Sequence, residues 1–327
     1  FKMSGVLKKI IDAQTLRSLV STGAINKEGI RLFDCTFFPT QPPDWKLFRD
    51  ASYGKFPQLM EAGSRAYTTY AGAHIPGAVH CNLGIATYPT KYERFAFYPP
   101  EVFEQYIQLL GVHKGEHIIV YGRGWQGGML MSSKIAWMLK SYGQDKVSLV
   151  DGGLDVWHRD EYELSNQPPQ LEKGDWTAVD RISEYNISFE QLEEKDEEGR
   201  MFIDKTDQTR FIDTRPRGQF EGTEDTGLDP YLVPASHIPG FTNVPAAELL
   251  TTKGTLKGAE EIRRLFPAGA SPMVTVCNFG LAASLAAYVV DAADESARPR
   301  VYTGSLKEME KRDPKRISAG KRVFPDE

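Results

Sequence analysis

The sequence predicts an α/β fold built twice along one chain, each half a mainly parallel β-sheet flanked by helices. Three observations carry this expectation. Short β-branched runs alternate with helix-like stretches, the order that yields parallel strands joined by crossover helices. A His-Ile-Pro-Gly turn occurs twice, at Ala73-His74-Ile75-Pro76-Gly77-Ala78 and at Ser236-His237-Ile238-Pro239-Gly240-Phe241, the two histidines 163 residues apart. Other landmarks recur around both turns in one order, which marks an internal duplication.

The elements follow in sequence. Ile30-Arg31-Leu32-Phe33-Asp34 is an apolar run ending in aspartate, and its counterpart is Arg210-Phe211-Ile212-Asp213. Helical patterns come next, at 100–110 and 257–266. The first opens on Pro99-Pro100-Glu101, a proline and acid placement that suits a helix N-terminus. His117-Ile118-Ile119-Val120-Tyr121-Gly122 and Met273-Val274-Thr275-Val276-Cys277-Asn278 are too short for helices and read as buried central strands. Aligning them sets Tyr121 opposite Cys277. A glycine-containing loop and a helix follow each, over 129–142 and over the alanine-rich 282–291. Val147-Ser148-Leu149-Val150-Asp151-Gly152-Gly153 and Arg300-Val301-Tyr302-Thr303-Gly304-Ser305 complete the set. Between the halves, Ser165-Asn166-Gln167-Pro168-Pro169-Gln170 holds a Pro-Pro pair that neither a helix nor a central strand accommodates. The expected domains are therefore 1–164 and 177–327, joined by a linker at 165–176. The acidic stretch 190–198 reads as a solvated surface segment.

Composition narrows the function classes. At 327 residues the chain has room for roughly two domains of about 150 residues each. Hydrophobic residues make up 41% and charged residues 25%, a balance that supports packed cores without metal or disulfide staples. A net charge of -5 argues against nucleic-acid binding by bulk charge. No apolar run is long enough to span a bilayer, and 1–12 lacks a signal-peptide pattern. Three cysteines, with no close pair, exclude a disulfide framework and any Cys-x-x-Cys metal site. The expected setting is a reducing intracellular compartment, cytoplasmic or mitochondrial, with no cofactor and no metal. His113 and His117 have ligand-like spacing, but Gly115 between them indicates a loop.

Cys277 is the residue most suited to chemistry. It ends a predicted buried strand and precedes the loop Asn278-Phe279-Gly280-Leu281, with a helix beginning near Ala282. A strand–loop–helix turn aims backbone N–H groups inward and adds the positive end of the helix dipole. Both favour a nucleophilic thiolate. Set against this, a free cysteine is among the most buried residue types and is often inert. Cys35 and Cys81 lack the loop and read as structural, as do His74 and His237. Gly122-Arg123-Gly124-Trp125-Gln126-Gly127 lacks the Lys-Ser/Thr ending of a phosphate loop and reads as a silent counterpart. A cysteine phosphatase would need arginine six residues after the cysteine, where Ala283 stands.

Together these motifs resemble the tandem rhodanese-like sulfurtransferases, a family that includes thiosulfate and 3-mercaptopyruvate sulfurtransferases. The resemblance covers nearly the whole chain. It rests on both His-Ile-Pro-Gly turns, Leu109-Leu110-Gly111-Val112, Leu149-Val150-Asp151-Gly152-Gly153-Leu154-Asp155-Val156-Trp157, Phe211-Ile212-Asp213-Thr214-Arg215, Gly218-Gln219-Phe220-Glu221-Gly222-Thr223 and Val274-Thr275-Val276-Cys277. It implies two rhodanese-like domains, the first silent and the second carrying Cys277. It further implies a small anionic sulfur donor and a cysteine persulfide formed by covalent catalysis. The acceptor is then a thiol such as thioredoxin or a small thiol, or cyanide.

The loop departs from the family. Thiosulfate-preferring members read Cys-Arg-Lys-Gly-Val-Thr-Ala and mercaptopyruvate-preferring ones Cys-Gly-Ser-Gly-Val-Thr-Ala, whereas this chain reads Cys277-Asn278-Phe279-Gly280-Leu281-Ala282-Ala283. The cationic positions are Asn278 and Phe279, and the threonine position is Ala282. Gln219 stands where the family's donor-gripping arginine is expected, the usual Asp-Gly-Ser-Trp is Thr303-Gly304-Ser305-Leu306, and Arg215 and Arg217 lie nearby. Each lost charge-assisted hydrogen bond costs about 1.5–3 kcal/mol. The expected binding residues are Asn278, Phe279, Gly280, Leu281, Ala282, Gln219 and Arg215, with mercaptopyruvate favoured over thiosulfate. The alternative is a rhodanese-like binding or regulatory protein with impaired turnover, suggested by Gln219, Phe279 and Ala282.

Overall fold

The structure is a computed structural model that describes residues 7–233, 236–269 and 272–317. These residues gather into two compact units. The first comprises those up to Tyr88, Phe97–Arg181 and Thr252–Leu256; the second comprises Pro89–Ala96, Ile182–Thr251 and those from Lys257 onward.

In the first half the strands are β1 (Ile10–Ile11), β2 (Ile30–Asp34), β3 (Val79–His80), β4 (Thr87–Tyr88), β5 (Ala96–Phe97), β6 (His117–Tyr121) and β7 (Val147–Val150). Five of them form one sheet in the order β1-β7-β6-β2-β3, every pair parallel, while β4 and β5 form a separate two-stranded sheet. The second half supplies β8 (Asn186–Ile187), β9 (Arg210–Asp213), β10 (Thr242–Asn243), β11 (Met273–Val276) and β12 (Arg300–Tyr302). Their sheet, β8-β12-β11-β9-β10, is again parallel throughout and repeats the first order strand for strand.

The central strands are buried because helices cover both faces of a parallel sheet. All five residues of β6 and all four of β11 are buried. Helix Met129–Ser141 is buried along its whole length, and helix Leu281–Ala293 over most of it. Helix Pro100–Leu109 carries proline and Glu101 in its first turn, as its sequence predicts. One core packs Leu16, Leu32, Ile119, Val150 and Trp157; the other packs Phe211, Val274, Val276, Tyr302 and Leu306.

The duplication reaches into side-chain detail. His74 Nδ1 lies 2.8 Å from the Tyr70 carbonyl and its ring stacks on Tyr70; His237 Nδ1 lies 2.7 Å from the Phe220 carbonyl and stacks on Phe220. Each histidine thus fastens its turn to the helix before it.

Two findings refine the sequence analysis. The acidic stretch 190–198 is mostly exposed but begins within helix Phe189–Glu193, where a Ser188–Gln191 capping box and buried Phe189 and Leu192 anchor it. The pairing of Tyr121 with Cys277 is wrong by one residue. Register sets Asp34 beside Tyr121 and Asp213 beside Val276. The Leu154 amide donates to the Gly122 carbonyl at 2.8 Å, just as the Leu306 amide donates to the Cys277 carbonyl at 2.9 Å. Gly122 therefore holds the place of Cys277. The cause is that β6 is one residue longer than β11 in paired strand, so matching apolar runs end to end overshoots.

Candidate active site

Cys277 follows the last residue of β11 and is only 4% exposed. Strand and helix fix it from opposite sides. Gly280 caps helix Leu281–Ala293 at φ 77°, in the left-handed region. A Cβ there would stand 2.7 Å from the Thr303 carbonyl oxygen, so only glycine fits without displacement. The tight turn points the Gly280 amide at the sulfur, and it donates to Cys277 Sγ at 3.1 Å. A backbone dipole thus faces Sγ, and a preorganised donor of this kind stabilises negative charge on the atom it faces.

A second anchor comes from the start of helix Ser305–Arg312. The Cys277 amide donates to Ser305 Oγ at 3.2 Å, and that hydroxyl donates to the Tyr302 carbonyl at 2.7 Å. The amides of Leu306 and Lys307 donate to the carbonyls of Cys277 and Asn278, at 2.9 and 3.1 Å. Ser305 holds φ 51°, an uncommon conformation for a residue with a Cβ. Sequence reasoning missed Ser305 as a site residue, although its alignment with Gly153 in the repeat carried the signal.

Several expected binding residues converge. Asn278 Nδ2 donates to Gln219 Oε1 at 3.2 Å, bringing together the loop and helix Arg217–Glu221. Among the described residues Asn278 Oδ1, which is buried, has no hydrogen-bond partner. Leu281 and Ala282 form the first turn of the helix behind the cysteine, and Ser284 Oγ donates to the Gly280 carbonyl at 2.6 Å. Phe279 is partly exposed and faces a guanidinium, with Arg94 Cζ 5.8 Å from its ring centroid. Arg94 belongs to the second unit although it lies in the first half of the sequence, and burial draws its pKa below the ordinary arginine value. Its neighbour Glu93 accepts from Thr303 Oγ1 at 3.0 Å. No local signal marks Glu93 or Arg94, because the packing that recruits them is long-range.

Arg215 is buried in an ion pair. Its side chain is 1% exposed and pairs with Asp213, Nε at 3.0 Å and Nη2 at 2.7 Å, with Nη2 also donating to the Ser236 carbonyl at 2.5 Å. Nε and Nη2 thereby tie β9 to the His237 turn, while Nη1 is buried with no hydrogen-bond partner among the described residues. In the first unit the corresponding aspartate, Asp34, is satisfied differently: Tyr121 Oη donates to it at 2.7 Å, Arg123 Nη2 at 2.9 Å and the Thr36 amide at 2.8 Å. Cys35 and Cys81 are fully buried, and burial pushes the Cys35 thiol well up. Among the described residues no group of His, Cys, Asp and Glu has metal-binding geometry, and no helix is long and apolar enough to cross a membrane.

Comparison with known proteins agrees with this architecture. The family model of the rhodanese-like domain matches residues 54–160. The chain is 48% identical to mpst-1 of Caenorhabditis elegans, assigned as a thiosulfate sulfurtransferase, over 98% of this chain and 99% of that protein. It is 30% identical to human 3-mercaptopyruvate sulfurtransferase over 76% of this chain and 80% of that one. Among solved structures, Tum1 of Saccharomyces cerevisiae superposes with a TM-score of 0.73 at 20% identity, covering 95% of this chain and 98% of that one. SseA of Escherichia coli, a 3-mercaptopyruvate sulfurtransferase, gives 0.68 at 22% identity, covering 91% and 99%. The chain belongs to the rhodanese-like sulfurtransferase family.

Proposed function

We propose that Cys277 carries the transferred sulfur as a persulfide and that the second domain, expected at 177–327, performs the chemistry while the first is catalytically silent. The donor is a small anionic sulfur compound, 3-mercaptopyruvate ahead of thiosulfate. The Cys277 thiolate attacks the donor's transferable sulfur and the bond from that sulfur to carbon (or to the second sulfur of thiosulfate) breaks; pyruvate leaves as its enolate and takes up the proton of the donor thiol (or sulfite leaves with the electron pair), so that the persulfide remains as its anion. An acceptor thiolate, from thioredoxin or a small thiol, then takes the outer sulfur and returns Cys277 to the thiolate. Splitting one transfer into two displacements is the benefit of a covalent carrier.

The observation that carries this reading is the Gly280 amide donating to Cys277 Sγ at 3.1 Å. It depends on backbone geometry alone, so it survives the loss of cationic side chains at 278 and 279. Arg94 beside Phe279 supports an anionic donor, since it brings to the loop a positive charge that the loop's own sequence lacks. Three free thiols fit a reducing compartment, cytosolic or mitochondrial.

The test is intact-mass measurement after incubation with 3-mercaptopyruvate or thiosulfate, on wild type and Cys277→Ser. A gain of one sulfur atom that disappears in the variant supports the reading. No adduct with either donor sinks it and leaves the non-catalytic binding protein as the better description.

A further inference from the structure

We propose that the first unit holds a binding site for a small planar aromatic molecule bearing an N–H or O–H donor. The site is a cavity of about 160 Å³ built wholly from that unit. It opens at the end of β3, among helices Phe56–Glu61, Arg65–Gly72 and Pro100–Leu109, and is bordered by Pro168 and Pro169. A dry cavity of about 150 Å³ is known to hold one benzene ring. The occupant is therefore a single ring or a compact fused pair.

The walls select for flatness. Tyr67, Tyr70, His80 and Tyr106 all line the cavity. The Tyr70 and His80 rings stack with centroids 5.1 Å apart and planes 15° apart, and Tyr67 meets His80 at 5.9 Å and 54°. Because His74 and His80 both stack on Tyr70, that ring offers its edge, and with the Tyr67, His80 and Tyr106 rings it favours an aromatic guest over a flexible aliphatic one.

The acceptor on His80 sets the guest's orientation. The Tyr70 hydroxyl is committed, donating to the Ala78 carbonyl at 2.7 Å, and the Tyr106 hydroxyl accepts from the Asn82 amide at 2.9 Å. His80 Nε2 lies 2.9 Å from the Thr36 carbonyl, and a carbonyl only accepts, so Nε2 carries the proton. Burial lowers the His80 pKa, which keeps the ring neutral near pH 7 and leaves Nδ1 a bare acceptor. Nδ1 has no hydrogen-bond partner among the described residues. A donor on the guest would satisfy it, and a hydrocarbon of the same shape would not.

The experiment uses the full chain with indole as the probe and indane, its isostere without the N–H, as the control, both titrated by isothermal calorimetry. Saturable one-to-one binding of indole, about five- to tenfold tighter than indane, is expected; that ratio is what one net hydrogen bond supplies. Met60→Trp, which fills the cavity, should weaken indole at least tenfold, and His80→Phe should erase the preference over indane. The proposal is overturned by an absence of saturation up to the solubility limit, by indane binding as tightly as indole, or by indole binding that a folded Met60→Trp leaves untouched. The comparison of the two probes on wild type decides the matter even if a variant fails to fold.

Discussion

Ser305 accepts the amide hydrogen of Cys277 while holding φ 51°, the same value that Gly153 holds at the matching place in the first unit. A residue with a Cβ in the left-handed region costs about 1–2 kcal/mol. Where Gly153 sits without that penalty, the second unit accepts it and gains a hydroxyl that fixes the backbone of Cys277. Strain beside Cys277 is thereby tied to a specific hydrogen bond.

Two substitutions separate the strain from the bond. Ser305→Ala keeps the strained backbone and loses the hydroxyl, so urea denaturation should show a loss of about 1–2 kcal/mol. Ser305→Gly removes both and should change stability by less than about 1 kcal/mol. Both should slow sulfur loading of Cys277, measured by quenched-flow mass spectrometry. Loading at the wild-type rate in both variants would remove Ser305 from the site.

The first unit cannot be given a nucleophile by simple grafting. A Cβ at Gly122 would lie 2.6 Å from the Gly128 carbonyl oxygen. Gly122→Cys should therefore destabilise the protein by about 2 kcal/mol or more, as overpacking does. In a Cys277→Ser background it should give no persulfide by mass.

Charge at the donor's end can be tested from two directions. Arg94→Ala should raise KM for anionic donors about ten- to a hundredfold, the value of one charge-assisted hydrogen bond, with partial recovery in Arg94→Lys. Gln219→Arg should increase the sulfur-loading rate constant, because residue 219 contacts the loop through Asn278. An unchanged rate in Gln219→Arg would show that residue 219 does not meet the donor.

Arg215 is expected to act on stability. Arg215→Met strands the Asp213 carboxylate in a buried site, and removing one partner of such a pair costs about 3–5 kcal/mol. Adding Asp213→Asn should restore much of the loss. The check is a double-mutant cycle by chemical denaturation.

Acid sensitivity should trace partly to His117. Burial first, and the Lys146 charge second, lower its pKa from 6.5 to about 4, with Nε2 2.8 Å from Ser148 Oγ. Between pH 6.5 and 4 the unfolded chain binds this proton and the folded chain does not, so stability falls as pH falls through that window. The contribution is present in full above pH 6.5. Its size is about 2 kcal/mol after allowance for partial solvent access. Urea midpoints at pH 7 and pH 4.5 should lie closer together in His117→Gln than in wild type.

By itself the sequence determined the duplicated α/β architecture and the His-Ile-Pro-Gly turns, and it singled out Cys277 as the candidate among three cysteines. These are legible because hydrophobic period, turn chemistry and repeat order are local properties of the chain. It could not fix which residue stands opposite Cys277, since register is set by hydrogen bonds between strands and not by the pattern within one. Nor could it find Ser305, whose role depends on a left-handed backbone angle, or Arg94, which lies 185 residues before Phe279 in the chain. It offered Arg215 as a binding residue, and packing made it a buried partner of Asp213. Tertiary structure decided these points because each depends on which distant groups are desolvated together.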